Sequence, residues 1–185
     1  AINSSLKDKV LTKKENQIVN NSRPKRNETI LFTIGYEGVR IDAYINALIK
    51  NDVKLLCDVR KNPISMKYGF NKSQLQNACE GVGIKYLHLP KVGIDSKKRK
   101  NLKSIRDYKE LFSEYKKTTL KNEAQEINNI TILLNKYKRI ALTCFEAEAV
   151  CCHRSYLAKE VQETSNKDYE VVHIHHVSSK NSDNG

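Results

Sequence analysis

The sequence predicts an α/β domain, with a mostly parallel sheet of about five strands and helices on both faces of the sheet. Short apolar segments alternate along the chain with segments whose apolar residues recur at helical spacing. A chain of 185 residues is long enough for one well-buried domain and short for two. Strands that alternate with helices form parallel sheets, because each connection crosses over one face of the sheet.

Five segments are predicted to be strands. The first is apolar, is β-branched or aromatic at most positions and ends at Gly35, while Pro63 and Pro90 stop the second and the third. In chain order they span residues 30–34, 53–59, 84–89, 139–145 and 169–174.

The segments between these strands are predicted to be mainly helical. In 41–49 the apolar residues fall at the spacing of a single helix face. Further helices are expected over 73–79, over 104–137 with a break near Thr118 and Thr119, and over 152–163. Residues 91–104 are predicted to form a basic loop.

Two terminal segments fall outside the predicted domain, which spans residues 29–177. Residues 1–28 are rich in Asn, Ser and Lys, which is typical of a flexible basic arm. Residues 178–185 form a short polar tail.

The five cysteines indicate a cytoplasmic protein. An odd number of irregularly spaced cysteines is a poor disulfide framework, so reduced thiols are expected. The N-terminus shows no apolar segment typical of a secretory signal, and no apolar run reaches the roughly 18–20 residues of a membrane span. We therefore expect no membrane contact. No cofactor is predicted, and the sequence does not indicate the oligomeric state.

The positive charge is large and uneven, with a formal net charge of +12. Basic residues cluster in the N-terminal arm and in one short stretch at 97–103, which contains Lys97, Lys98, Arg99, Lys100 and Lys103. Such a surface attracts phosphates, so an anionic small molecule or a nucleic acid is the expected partner. A solvated lysine-rich face explains the same pattern, because aromatic residues do not interleave with the basic stretch.

Polar and nucleophilic side chains follow four of the predicted strands. They are Tyr36 after the first strand, Asp58, Arg60 and Ser65 after the second, His88 in the third, and Cys144, Glu146, Cys152, His153 and Arg154 at and beyond the fourth. The carboxyl ends of parallel strands meet at one edge of the sheet, where α/β proteins form their pockets. The sequence therefore predicts one polar pocket at this edge.

The same residues carry a family resemblance. The motifs are Thr33-Ile34-Gly35-Tyr36, Asp58-Val59-Arg60 with Pro63 and Ser65, Gly83-Ile84-x-Tyr86-x-His88-Leu89-Pro90, Cys144-x-Glu146 with Cys152-His153-Arg154, and Val172-His173-Ile174. Their order over about 29–176 resembles the family catalogued as domain of unknown function 488. This resemblance implies an α/β fold and a polar pocket, and it supplies no substrate. Residues 91–94 depart from the Leu-Gly-Gly-like turn that the resemblance leads us to expect.

The predicted pocket contains candidates for each role in nucleophilic catalysis. Cys152 is expected at a helix start beside two basic residues, and all three features lower the pKa of a thiol. Cys144 is the second candidate nucleophile, although a buried free cysteine also packs as a small hydrophobe. Arg60 and Arg154 are the candidate anion ligands, with Tyr36, Ser65, His88 and His153 as further contacts.

Asp58 and Glu146 are the candidate acid and base groups. Ion pairs of Asp58 with Arg60 and of Glu146 with Arg154 explain their positions equally well. Tyr36 and Ser65 could likewise bond to a nearby carbonyl.

A metal site is the rival use of these side chains. Cys144, Cys152 and His153 could bind zinc, yet their spacing is not that of a zinc finger, and neighbouring Cys and His residues seldom point at one ion. The histidines at 173, 175 and 176 are explained better as hydrogen-bonded polar groups.

The function expected from the sequence is an enzyme acting on a phosphorylated, nucleotide-like or nucleic-acid substrate. The chain has neither the Cys-x5-Arg loop of protein phosphatases nor a glycine-rich Walker loop. The alternative is a non-catalytic module that holds nucleic acid with the basic stretch 97–103. A protein-interaction domain with a vestigial pocket fits the sequence as well.

Overall fold

A computed structural model of the protein describes residues 27–99, 102–165 and 169–176. Within this part of the chain a single sheet contains five strands: β1 (Ile30–Gly35), β2 (Leu55–Asp58), β3 (Lys85–His88), β4 (Arg139–Cys144) and β5 (Glu170–Ile174). Their order in the sheet is β3-β2-β4-β1-β5, and every neighbouring pair is parallel. The predicted fold class is confirmed.

The α-helices of the described residues are α1 (Ile41–Lys50), α2 (Lys72–Gly81), α3 (Ile105–Tyr115), α4 (Ala124–Tyr137) and α5 (His153–Ser165). A π-helical turn at Lys116–Leu120 separates α3 from α4, at the break that the sequence predicts. The segment predicted as a basic loop contains short 3-10 turns at Pro90–Val92 and Ser96–Arg99.

The helices cover both faces of the sheet. Leu48 of α1 and Leu75 of α2 belong to the apolar core on one face. Phe112 of α3, Ile130 of α4 and Leu157 of α5 belong to the core on the other face. Because helices cover both faces of this parallel sheet, β1, β2 and β4 are buried at every residue.

Four of the five strands are shorter than the sequence predicts, and β1 is one residue longer. Val53 and Val59 are buried, but they lie just outside the β2 ladder, where their amides bond to the carbonyls of Leu48 and Thr143. Phe145 leaves the sheet after β4 and is 44% exposed. An apolar pattern reports burial, so it extends beyond the residues that pair as strands.

A crevice opens between β1 and β4, because the chain leaves these neighbouring strands toward opposite faces. The helix that follows β1 packs in one core and the helix that follows β4 packs in the other. Ligand sites of open α/β sheets lie at such a topological switch point.

No helix in the described ranges is long and apolar enough to cross a membrane. The predicted N-terminal arm falls almost entirely outside the described residues, as does the predicted tail at 178–185.

Candidate functional site

A cavity of about 350 Å³ lies at the switch point, at the carboxyl ends of the strands. This volume is within the range of small-molecule pockets. The polar residues in its lining are Tyr36, Arg60, Lys61, Asn62, Ser65, Ser96, Arg99, Cys144, Glu146 and His153. Of the residues proposed from the sequence, Asp58, His88, Cys152 and Arg154 are not in this lining.

Two cysteines meet at the floor of the cavity. Cys144 is the last residue of β4, and Cys152 directly precedes α5. A hydrogen bond from the Cys152 thiol, the charge of Arg99 and the Phe145 amide outweigh burial and lower the pKa of Cys144 to about 7. Burial, together with the hydrogen bond and charge of Cys144, raises the pKa of Cys152 to about 12. These opposite directions favour Cys144 over Cys152 as the thiol that ionises, whereas the helix-start pattern favours Cys152.

His153, the first residue of α5, turns its ring toward both thiols. Its Nε2 lies 3.0 Å from the Val59 carbonyl oxygen. A carbonyl only accepts, so Nε2 carries the proton and Nδ1 presents its lone pair. Nδ1 lies 3.7 Å from the sulfur of Cys144 and 3.8 Å from that of Cys152.

Arg99 completes this cluster, although the sequence assigns it only to the basic stretch. One guanidinium nitrogen lies 2.5 Å from Nδ1 of His153, and another pairs with the carboxylate of Glu146. Its side chain is only 20% exposed. The 3-10 turn at Ser96–Arg99 directs it inward, and no sequence pattern distinguishes it from the lysines beside it.

Asp58 and Arg60 form a buried ion pair with each other. Two guanidinium nitrogens of Arg60 donate to the two carboxylate oxygens of Asp58, at 2.8 and 2.5 Å. Burial alone would lower the pKa of Arg60, but its hydrogen bonds to Asp58 and the charge of that carboxylate raise it above its usual value. Asp58 also accepts from Tyr86 at 2.6 Å. This arrangement favours the structural role that the sequence left open for Asp58.

Tyr36, Ser65 and His88 occupy different positions around the cavity. The Tyr36 hydroxyl accepts a 2.8 Å hydrogen bond from Arg60 and lies in the lining. Ser65 also lies in the lining, and its hydroxyl accepts from the Lys67 amide. The His88 ring bonds at 2.9 Å to the Arg60 carbonyl oxygen, outside the lining.

Arg154 holds the turn that carries Glu146. It is 1% exposed and donates to the carbonyls of Glu146 and Ala147, at 2.5 and 2.9 Å. These bonds place the Glu146 carboxylate in the lining and leave Arg154 behind it. The ion pair of Glu146 is thus with Arg99, whereas the sequence suggested Arg154 as its partner.

Gly35 allows the same turn to lie against β1. A Cβ at this position would lie 1.8 Å from the Glu146 carbonyl oxygen, so any side chain would displace the turn.

One cluster among the described residues could also hold a metal ion. Its possible ligand atoms lie within 4.8 Å of one another and belong to Cys144, Cys152 and His153. The structure thus directs the neighbouring Cys and His at one point, against the expectation from their spacing. The guanidinium of Arg99 occupies the lone pair of His153 Nδ1, and its positive charge opposes a cation there. This geometry favours a thiol cluster over a metal centre.

Two of the three histidines at β5 and its end, His173 and His176, have hydrogen-bond partners of their own. Nδ1 of His173 lies 2.7 Å from the Thr33 hydroxyl, and Nε2 of His176 lies 3.1 Å from the Gly35 carbonyl oxygen. These contacts favour the interpretation of this histidine group as hydrogen-bonded polar side chains.

One family model matches the chain, over residues 40–161, and its description is domain of unknown function DUF488. The match includes the residues proposed from the sequence except Tyr36, and it is narrower than the 29–176 span of the resemblance. No curated protein and no solved structure matched the chain.

Proposed function

Since the chain belongs to the DUF488 family, whose description names no reaction, we propose from the site itself that it is an enzyme using the Cys144 thiolate against a phosphorylated or otherwise anionic substrate. The observation that carries the proposal is the position of Cys144. It lies in the cavity lining, accepts a hydrogen bond from Cys152 and has its pKa lowered to about 7. A thiolate that exists at neutral pH is the nucleophilic form of cysteine.

The cations around the cavity support an anionic substrate. Arg60, Lys61 and Arg99 line it, and Lys61 is exposed. Arg99 is the central cation, because it contacts the cluster around Cys144 while part of its side chain reaches solvent. An anion bound here would compete with Glu146 for the Arg99 guanidinium and free the Glu146 carboxylate for proton transfer.

The proposed reaction has two steps. The Cys144 sulfur forms a bond to the electrophilic centre of the substrate, while the leaving group departs with its bonding electron pair and takes a proton from water. Water then attacks the same centre, the bond to sulfur breaks, and the thiolate is restored. Glu146 takes the proton of that water, since its carboxylate lies in the same cavity lining. In this assignment Cys152 is a hydrogen-bond donor, and Asp58 and Arg154 hold the site in place.

Site-resolved alkylation with iodoacetamide tests the proposal. The rate of labelling of Cys144 should rise with increasing pH, with a midpoint near pH 7. Cys57 and Cys79 should stay unlabelled, because burial raises the pKa of each to about 12. At pH 7 Cys144 should react roughly fivefold faster than an ordinary thiol, since its larger thiolate fraction outweighs its lower intrinsic nucleophilicity.

A comparison of two reagents tests the anion site. Iodoacetate carries a negative charge and iodoacetamide does not. The cations should therefore make the ratio of the iodoacetate rate to the iodoacetamide rate higher at Cys144 than at exposed Cys151. Inorganic phosphate should protect Cys144 from both reagents. The proposal is wrong if Cys144 in the folded protein labels no faster than Cys57 and shows no protection.

The structure weakens the support for the alternative, a nucleic-acid module built on the basic stretch. Arg99 turns into the cavity and Lys98 pairs with Glu114 at 2.6 Å, while Lys100 lies outside the described residues. Binding of a single-stranded oligonucleotide that falls steeply with salt, and persists after Cys144→Ser and Glu146→Gln, would favour the alternative.

A further inference from the structure

We infer that Cys144 and Cys152 form a reversible dithiol–disulfide couple, which reacts with small disulfides at the same cavity. The inference rests on the proposed nucleophile, Cys144, and assigns Cys152 a second role as the resolving thiol. It adds a two-electron redox reaction to the group transfer proposed above.

The positions of the two sulfurs carry this inference. They lie within 4.8 Å of each other, and each lies within 3.8 Å of Nδ1 of His153, so a covalent bond of about 2.05 Å requires only a local approach. Cys152 has extended backbone dihedrals, φ −131° and ψ 140°, and precedes the first turn of α5. Cys144 is the last residue of β4 and is followed by a turn, so each cysteine lies at the end of its element.

Access to the couple is one-sided. Cys144 borders the cavity, whereas Cys152 is completely buried behind it. A reagent entering the cavity therefore meets Cys144 first and leaves Cys152 as the internal thiol that completes the reaction. Among the remaining cysteines, Cys57 and Cys79 are buried in the two cores and Cys151 is exposed.

The reaction balances as two thiol–disulfide exchanges. The Cys144 thiolate attacks one sulfur of a small disulfide, the disulfide bond breaks, and one thiolate leaves and takes a proton from solvent. The Cys152 sulfur then attacks the sulfur of Cys144 and forms the protein disulfide. The bond between Cys144 and the small thiol breaks, and the second small thiolate leaves and takes up the proton that Cys152 releases. Two protein thiols are oxidised and one small disulfide is reduced to two thiols.

The test uses the full chain and 2-hydroxyethyl disulfide, a neutral probe that does not depend on the cations. Trypsin releases residues 140–154 as one peptide, and cleavage after Glu146 and Glu148 separates Cys144 from Cys151 and Cys152. The couple predicts a disulfide that joins these two fragments in the Cys151→Ser variant, at one linkage per chain. Cys152→Ser should stop at the mixed disulfide on Cys144, and a dithiol should reverse both products.

Three outcomes would overturn the inference, and they are distinguishable. In the first, the mixed disulfide on Cys144 persists in the Cys151→Ser variant although Cys144 is alkylated rapidly. This result would overturn the couple and leave the proposed function standing. A Cys144 that reacts with neither 2-hydroxyethyl disulfide nor iodoacetamide would overturn both. Linkage of Cys144 to Cys151 in the unmodified chain, absent any link to Cys152, would also overturn the assignment.

Discussion

Arg99 places a guanidinium nitrogen 2.5 Å from Nδ1 of His153, across 54 positions of sequence. The contact joins the 3-10 turn before α3 to the first residue of α5, beside the sulfur of Cys144. It brings a permanent positive charge to a buried thiol, so the ionisation of that thiol depends on a residue that sequence patterns assign to the surface.

Loss of the Arg99 charge should therefore reduce the reactivity of Cys144. Arg99 is one of the groups that lower the pKa of Cys144, together with the Cys152 thiol, the Phe145 amide and Arg154. In Arg99→Gln the pKa of Cys144 should rise, and alkylation of Cys144 at pH 7 should slow by about fivefold. Alkylation quenched at successive times and followed by peptide mass spectrometry measures this rate.

Lys98→Gln is the matched control, since it removes the same charge from the neighbouring position. Lys98 pairs with Glu114 and its side chain is 54% exposed. Its substitution should leave the rate at Cys144 within twofold of the unmodified chain. Equal slowing in both variants would show that only net charge matters and that the contact with His153 does not.

Substitution of Cys152 separates its hydrogen bond from its packing. The hydrogen bond from Cys152 is the largest cause of the lowered pKa of Cys144. Cys152→Ala removes the donor, so the labelling midpoint of Cys144 should move up from pH 7. Cys152→Ser keeps a hydroxyl donor at the same position and should retain most of the lowering. The pH profile of Cys144 alkylation reads both shifts, and coincident profiles for the two variants would contradict this role of the bond.

The architecture was largely predictable because it depends on patterns that the chain carries locally. Apolar strands alternate with amphipathic helices, and crossover connections then require a parallel sheet. The place of β4 between β2 and β1 was not predictable, since it depends on which strand edge the chain returns to after α4.

The candidate site was predictable as a location and less so as a set of roles. The strand-end rule brings Tyr36, Arg60 and Cys144 to one cavity. It does not say which thiol ionises, because that depends on a hydrogen bond between the two cysteines and on the position of Arg99. Both depend on how the fold arranges side chains from different elements, and no local pattern encodes that arrangement.

Gly35 should be required for the position of the Glu146 turn. In Gly35→Ala the new methyl group would lie 1.8 Å from the Glu146 carbonyl oxygen, so the turn must move. We expect a loss of roughly 1–3 kcal/mol in the free energy of unfolding and slower alkylation of Cys144.

Gly81→Ala is the control, because no atom lies within 4 Å of its added Cβ. It should be neutral or stabilising by less than about 1 kcal/mol. Urea denaturation measures the free energy of unfolding of the two variants. Equal values would contradict the requirement for glycine at position 35.

The Asp58–Arg60 pair should act mainly on stability. Asp58 is completely buried and bonds to Arg60 through both carboxylate oxygens. Asp58→Asn leaves the Arg60 charge buried without its counterion, which costs roughly 3–5 kcal/mol in the free energy of unfolding.

Asp42→Asn provides the comparison for this pair, because it removes the same charge from an exposed pair with Arg40. Its effect should stay below about 1 kcal/mol. Urea unfolding followed by circular dichroism measures the free energy of unfolding of both variants. Alkylation of Cys144 is measured at urea concentrations at which the protein is still folded. If Asp58 is structural, the folded fraction of Asp58→Asn keeps a labelling midpoint near pH 7. A variant of unchanged stability that loses labelling would instead assign Asp58 to the chemistry at Cys144.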